Sequence, residues 1–132
     1  ASLSLVRRGH PAAGRRMTLK QFAELGHVLV APRGEETGII DDILAQKGLS
    51  RRIVASVPHF LAAAFLVEQT DFIVTLAERV ARRFAGMLAL SPATPPMPLP
   101  AVTIAQLWHE RTLRDPAQRW LRATIASVAK TV

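Results

Sequence analysis

Residues 51–76, RRIVASVPHFLAAAFLVEQTDFIVTL, decide the fold. The segment Arg51–Val57 alternates between two sets of side chains, which predicts a strand. Pro58 can occupy the first turn of a helix, and His59–Gln69 has the apolar content of a buried one. Asp71–Leu76 is a short aliphatic run that predicts a second, buried strand. A strand, a helix and a strand in this order predict two parallel strands joined by a right-handed crossover.

The same alternation of strands and helices continues on both sides of this unit. Further strands are predicted at Leu3–Arg7, His27–Val30, Met87–Leu90 and Val102–His109. Further helices are predicted between the N-cap Thr18 and Gly26, from the N-cap Thr37 to a stop at Gly48, over Ala77–Phe84, and from Asp115-Pro116 to Val132. This order predicts an α/β fold with a largely parallel sheet and helices on both faces.

A proline-rich connector, Ala93–Pro100, separates this block from the last strand and helix. Proline-rich segments are stiff and extended, so the connector indicates a boundary. The opening strand and the closing strand and helix are compatible with one lobe, and the middle of the chain with another, which would leave a ligand cleft between them. Trp108 on the last strand and Trp120 on the last helix lie in apolar stripes, which predicts a core contact that they share.

The composition narrows the class of protein. The chain has 132 residues, no cysteine and a formal net charge of +7. The lack of cysteine excludes disulfides and thiolate metal sites and is compatible with a reducing cytoplasm. The basic residues are scattered, without long runs or interleaved aromatics, so ordinary surface charge is favoured over a nucleic-acid or membrane surface. The longest apolar stretch, Phe60–Val67, is far shorter than the roughly 20 residues of a membrane span, and no secretory signal is visible.

The sequence contains no catalytic motif: glycine-rich nucleotide loops, nucleophile elbows and zinc-protease helices are all missing. The adjacent acids Glu35-Glu36 and Asp41-Asp42 are interpreted as solvated charge, because neighbours on a helix point to different faces. We therefore predict a protein that is not an enzyme and has neither a metal site nor a cofactor. The histidines also lack metal-ligand spacing; they are His10, His27, His59 and His109.

The most suggestive local element is Pro58, His59 and Phe60, where a strand passes into a helix. In open α/β folds, ligands bind beyond the carboxyl ends of strands, where free backbone N–H groups favour an anion or a carbonyl oxygen. His59 would donate to the ligand and Phe60 would cover its apolar part; in the alternative reading, His59 only caps the turn and Phe60 is core. Arg33, after the preceding strand, would pair with a carboxylate or would be a solvated loop arginine. Thr75 would supply a hydroxyl from the next strand.

Several segments together carry a resemblance to a known family, and their order and spacing give it weight. The segments are Leu5–Ala12, Thr18–Leu25, His27–Val30 with Pro32–Gly34, Val54–Phe60, Thr70–Arg79, Trp108–Arg111, Asp115-Pro116 and Arg119–Arg122. They cover nearly the whole chain, which resembles the effector-binding domain of LysR-type transcriptional regulators, in the branch near the nodulation-type regulators.

The resemblance implies a two-lobed fold like that of type 2 periplasmic binding proteins. Residues 18–92 would form the second lobe, and residues 1–17 and 93–132 would be parts of an incomplete first lobe. It also implies a small-molecule effector in the cleft, often aromatic or carboxylate-bearing, contacted by Pro58, His59, Phe60, Arg33 and Thr75. The protein would be a cytoplasmic homo-oligomer that reaches DNA only through a winged helix-turn-helix module absent from this chain, and the chain would be part of a longer regulator.

Two other classes of protein remain as alternatives. A solute-binding protein of a transport system would share the two-lobed fold but would need an export signal. An enzyme of similar fold is disfavoured by the missing catalytic residues. The coding sequence upstream of Ala1 distinguishes the three classes, since only a transcription regulator needs a helix-turn-helix.

Overall fold

The computed structural model describes residues 1–101 and 103–131; Val102 and Val132, which fall in the last predicted strand and helix, lie outside the described residues. The chain forms two compact units, Ala1–Val102 and Thr103–Val132, and each is described by itself. None of the helices within the described ranges combines the length and the apolar character that crossing a membrane requires.

The first unit alternates strands and helices, as the sequence predicts. Its strands are β1 (Ser2–Arg7), β2 (Gly26–Val30), β3 (Arg52–Val57), β4 (Ile73–Ala77) and β5 (Leu90–Ala93). Its helices are α1 (Leu19–Glu24), α2 (Ile39–Ala45), α3 (Phe60–Glu68) and α4 (Glu78–Met87). The unit β3–α3–β4 therefore forms where residues 51–76 predict it.

The five strands form one mixed sheet in the order β3-β2-β4-β1-β5. Strand β2 is parallel to both of its neighbours, β3 and β4, while β1 is antiparallel to β4 and β5. The predicted parallel sheet thus holds for the three strands β2, β3 and β4. Strand β1 runs the other way, because its neighbours in the sheet, β4 and β5, are distant in sequence and the connection to β2 does not fix its direction.

Helices cover both faces of this sheet, as predicted. The first face packs against α3 and α4 in a core that includes Leu3, Leu5, Val28, Ala64, Val67, Val74 and Leu76. The second face packs against α1 and α2 in a core that includes Val6, Phe22, Ile40, Leu44 and Ile73. Because successive strand residues point to opposite faces, β1 and β4 each contribute to both cores.

Helix ends agree only in part with the predicted caps. The Thr18 hydroxyl accepts from the Gln21 amide at 3.1 Å while the Gln21 side chain accepts from the Thr18 amide, so the predicted cap of α1 is confirmed. The predicted Thr37 cap is wrong: Gly38 precedes α2, and the Asp41 carboxylate accepts from its amide at 2.7 Å. Gly26 begins β2 instead of ending a helix, and a Cβ there would lie 2.8 Å from the Phe72 ring.

The fifth strand lies later than predicted. Helix α4 continues to Met87, so β5 begins at Leu90 and not at Met87. The predicted end of the helix at Phe84 relied on the apolar stripe, and the last turn of α4 continues beyond it with small and exposed residues.

The second unit contains a 3-10 turn at Glu110–Thr112 and the helix α5 (Pro116–Thr131). The Asp115 carboxylate accepts from the Gln118 amide at 2.8 Å, which confirms the predicted cap. The predicted strand Val102–His109 is wrong for its described part, since residues 103–109 form no strand. Alternation alone makes a strand only where a neighbouring strand accepts its backbone hydrogen bonds.

The predicted core contact between Trp108 and Trp120 is also wrong. Both indoles are exposed within this chain. The Trp108 ring instead stacks with the Arg122 guanidinium, whose carbon lies 4.8 Å from the ring centre.

A buried polar network joins β2, α2 and the residue before β3. The Arg51 side chain is 3% exposed and makes two hydrogen bonds of 2.7–2.8 Å to the Asp41 carboxylate. Another Arg51 nitrogen donates to His27 Nδ1 at 3.3 Å, and His27 Nε2 donates to the Phe22 carbonyl at 2.8 Å. The Arg51 hydrogen bonds hold the pKa of Asp41 below its ordinary value, so the interpretation of Asp41 as solvated charge is wrong.

Substitution of Asp41 tests how much this network stabilises the fold. We expect Asp41→Asn to lower the free energy of unfolding by about 2–3 kcal/mol, because Arg51 would keep its charge in a buried position without a full partner. Asp42→Asn is the matched control: it makes the same change one residue along α2 at an exposed position, and we expect a change below about 0.5 kcal/mol. Urea unfolding at neutral pH measures both, and equal losses would contradict the network's role.

The same network predicts a pH dependence of stability. Burial lowers the pKa of His27 from 6.5 to about 4, with the Arg51 charge acting in the same direction. As the pH falls, His27 therefore takes up a proton in the unfolded chain before it does so in the folded chain. The stability that neutral His27 contributes is complete above the pKa of the unfolded chain. It is lost as the pH falls between the two pKa values, by about 3 kcal/mol.

The variant His27→Gln isolates this effect, since glutamine also donates to the Phe22 carbonyl and accepts from Arg51 but does not titrate. Urea unfolding between about pH 7 and about pH 4.5 should give the wild type a steeper loss of stability than the variant. An equal change of the free energy of unfolding with pH in both proteins would contradict the assignment of the loss to His27.

Candidate functional site

The parallel strands β2, β3 and β4 all end at one edge of the sheet, here called the carboxyl edge. Strands β2 and β3 are in register to their last residues, where Val30 lies opposite Val57. Just beyond, the Ala31 amide donates to the Val57 carbonyl at 2.9 Å. The loop that carries Arg33 and the segment from Pro58 to Phe60 therefore leave the sheet from neighbouring strands, as the sequence predicts.

His59 occupies the N-cap position of α3, but only through its backbone. Its φ and ψ of −127° and 137° are extended, and its carbonyl accepts from the Ala63 amide at 3.3 Å. The side chain makes no capping hydrogen bond and is exposed. The reading in which the imidazole caps the turn is therefore wrong, and its contact with a ligand stays a prediction.

Phe60 begins α3 with its side chain 47% exposed. The reading of Phe60 as a core residue is therefore wrong within this chain. Leu61 and Phe65 on the same helix are exposed to a similar extent, so the first turns of α3 present apolar side chains at the surface of this chain. Pro58 lies two residues before α3 begins at Phe60, so the first-turn position predicted for it is wrong.

The first turn of α3 offers backbone donors next to that apolar surface. The first amides of a helix have no partner within the helix, and at α3 no side chain from the N-cap residue satisfies them. Free amides at a helix start, together with the positive end of the helix dipole, attract an anion. The carboxyl edge thus combines anion-binding amides, an imidazole and an exposed aromatic ring.

Arg33 stands in the neighbouring loop with a partner of its own. Its side chain is 87% exposed, and its Nε donates to the Glu35 carboxylate at 2.7 Å. The Arg33 amide donates to the same carboxylate at 3.1 Å, and these hydrogen bonds, the side-chain one first, hold the pKa of Glu35 below its ordinary value. Glu35 occupies the Nε of the guanidinium, so a carboxylate ligand of Arg33 would bind the terminal nitrogens beside Glu35 or replace it.

Thr75 lies inside the sheet, two residues before the end of β4. Its hydroxyl is 2.7 Å from the Ser4 hydroxyl, and the two residues are directly opposite in the register of β1 and β4. Ser4 is fully buried, and the sequence reasoning missed it. The sequence offers no signal for it, because a serine between Leu3 and Leu5 is the usual pattern of a strand with one solvent face.

The structure thus brings Pro58, His59 and Phe60 together at the carboxyl edge, with Arg33 in the loop beside them. Thr75 is on a neighbouring strand and is already hydrogen-bonded. Among residues 1–101 and 103–131, no group of three or more acidic or histidine side chains is placed to hold a metal ion.

The chain is similar to known proteins over nearly its full length. The family model described as LysR substrate binding domain matches residues 3–130. The HTH-type transcriptional regulator SyrM of Rhizobium meliloti (strain 1021) is 41% identical over 128 residues, which cover 96% of this chain and 39% of SyrM. The HTH-type transcriptional activator NagR of Ralstonia sp is 38% identical over 118 residues, which cover 89% of this chain and 39% of NagR.

A solved structure has the same fold. The regulatory domain of MexT, a transcriptional activator in Pseudomonas aeruginosa, matches with a TM-score of 0.75 and 27% identity, over 96% of this chain and 60% of that one. This chain therefore spans about two fifths of the length of the curated relatives it matches.

The N-cap of α3 generates a prediction about stability. Serine is a strong N-cap residue, so His59→Ser should raise the free energy of unfolding by about 0.5–1 kcal/mol. His59→Ala is the matched variant without a capping oxygen, and we expect it to stay within about 0.5 kcal/mol of the wild type. Thermal or urea unfolding compares the three proteins. A loss above about 1 kcal/mol in the alanine variant would mean that the imidazole stabilises the fold and is not free.

Proposed function

The chain belongs to the LysR substrate-binding domain family, and on that premise we propose that it senses a small molecule on behalf of a DNA-binding transcription regulator. The observation that carries the proposal is the family match over residues 3–130. The names of the relatives, an HTH-type regulator and an HTH-type activator, favour transcription control over solute transport. The proposed role is binding without catalysis, metal or cofactor.

The effector we propose is a small molecule with an aromatic body or a carboxylate. Its anionic group would lie at the free amides of α3, where Pro58 ends the strand and His59 supplies a further donor. The ring of Phe60 would cover the apolar body of the effector. We assign the effector contact to Pro58, His59 and Phe60 because they lie at the free backbone amides of α3 and include an exposed aromatic ring.

Arg33 and Thr75 have a conditional role in this proposal. Arg33 would bind an effector carboxylate through its terminal nitrogens or by exchanging it for Glu35, at little cost because that pair is exposed. Thr75 would reach an effector only by giving up its hydrogen bond to Ser4. We therefore rank both below Pro58, His59 and Phe60.

We propose that residues 18–92 form the second lobe of the sensing domain, and that residues 1–17 and 93–132 belong to the first. Strands β1 and β5 lie near the two boundaries of the second lobe and pair with each other from Ser4 to Arg7. These strands would carry the chain between the lobes. An effector held between the lobes would favour one of their arrangements, and that population shift is the signal.

In the same proposal the signal reaches DNA through a winged helix-turn-helix module outside this chain, in a cytoplasmic homo-oligomer. The term HTH in the names of SyrM and NagR supports such a module. The proposal places no nucleic-acid surface on this chain. Its net charge of +7 comes from basic residues that are scattered over the chain.

A titration with benzoate tests the site. Benzoate carries both features of the proposed effector, so it should shift the backbone amide resonances of residues 59–62 in a 1H-15N spectrum of the chain. The double variant His59→Ala, Phe60→Ala should weaken binding by about tenfold or more, because it removes a donor and the apolar cover.

The matched control is Met87→Ala with Gln69→Ala, which removes an apolar and a polar side chain from exposed positions at the ends of α4 and α3 that lie away from the carboxyl edge. Its affinity for benzoate should equal that of the wild type. The proposal fails if the His59, Phe60 variant binds benzoate as tightly as the wild type.

A further inference from the structure

A cavity of about 620 Å³ lies at the amino edge of the sheet, opposite the carboxyl edge. Its walls come from the end of β1, the loop that follows, α1 and the turn before β4. The volume falls within the range of roughly 300–1,000 Å³ that is typical of small-molecule sites. Four of the lining residues are apolar: Pro11, Ala12, Met17 and Leu25.

The wall of this cavity is held in place by hydrogen bonds. His10 is 6% exposed; its Nδ1 accepts from the Ala12 amide at 3.0 Å, and its Nε2 donates to the Asp71 carbonyl at 3.3 Å. The Arg7 guanidinium binds the Asp71 carboxylate through two nitrogens at 2.7 Å each. The loop after β1 is therefore pinned to the turn before β4, which makes the cavity preformed.

The rim of the cavity carries two guanidinium groups whose charge is not used elsewhere. Among the residues that the structure describes, neither Arg15 nor Arg16 makes a side-chain hydrogen bond or ion pair, and both are exposed. The charge of Arg7 is matched by Asp71. Glu24, the other acid of the lining, lies 4.0 Å from Lys20. Arg15 and Arg16 thus leave an excess of positive charge beside an apolar floor.

We propose that this cavity is a second small-molecule site, for an organic anion with an apolar body. The guanidinium forks of Arg15 and Arg16 would bind a carboxylate through paired hydrogen bonds. Met17 and Leu25 would take up the apolar body, which a small inorganic anion lacks. The cavity shares no lining residue with the carboxyl edge, so this proposal does not depend on the proposed effector site.

A titration of the whole chain with 2-naphthoate tests this site. The expected result is a saturable shift of the backbone amides of Ala12, Arg15, Arg16, Met17 and Leu25 in the 1H-15N spectrum. The neutral analogue 2-naphthalenemethanol and the small anion acetate should each bind about tenfold more weakly, because each lacks one of the two features.

The double variant Arg15→Gln, Arg16→Gln should weaken 2-naphthoate binding by about tenfold or more, since both charge-assisted contacts are removed. These side chains are exposed, so the variant should fold like the wild type. The matched control, Arg52→Gln with Arg83→Gln, makes the same change of net charge at exposed positions outside the cavity and should bind 2-naphthoate like the wild type.

Three results would overturn the proposal. The first is that 2-naphthoate shifts no amide of the cavity, whether or not it shifts residues 59–62 at the other edge. The second is that the neutral alcohol binds as tightly as the carboxylate. The third is that the control variant loses as much affinity as the Arg15, Arg16 variant, which would mean general attraction to a basic surface.

Discussion

The buried ion pair between Arg51 and Asp41 fixes the outer edge of the sheet, and the candidate site depends on that edge. Strand β3 pairs with β2 and with no other described strand. Arg51, directly before β3, binds Asp41 of α2 and His27 of β2 from a position that is almost fully buried. The pairing shifts by one residue between His27 and Val28, and beyond that shift Val57 lies opposite Val30; the segment after Val57 carries the candidate site.

The two ends of the strands have different chemistry. At the carboxyl edge, free amides at the start of α3 lie beside the His59 imidazole and the Phe60 ring. At the amino edge, a preformed cavity has an apolar floor and an unpaired basic rim. Strands β1 and β4 connect the two ends: Arg7 and Asp71 tie them together at the amino edge, and Ser4 and Thr75 tie them further along.

The sequence predicts local features well and long-range pairs poorly. The alternation in residues 51–76 and the caps at Thr18 and Asp115 depend on near neighbours, and the structure confirms them. Residues 103–109 alternate as a strand does, but no described strand pairs with them. The apolar stripes of Trp108 and Trp120 likewise indicate burial only if a partner surface covers them.

In the candidate site, too, the sequence predicts some features and not others. The grouping of Pro58, His59 and Phe60, and the neighbouring position of Arg33, follow from parallel strands whose carboxyl ends share an edge. The partners of the side chains do not follow from the strand order. Thr75 and Asp41 bind residues distant in sequence, Ser4 and Arg51. The Glu35 partner of Arg33 is only two residues away, but nothing in the loop sequence indicates the pair. Adjacent acids such as Asp41 and Asp42 are alike in sequence, and burial alone separates their roles.

The amino-acid sequence encoded upstream of Ala1 in the gene tests the central claim, that this domain senses a small molecule for a transcription regulator, most directly. Our account predicts a winged helix-turn-helix followed by a linker helix, joined in frame to the remaining part of the first lobe. A secretory leader in that position, without a helix-turn-helix, would contradict the account and would assign the domain to solute transport.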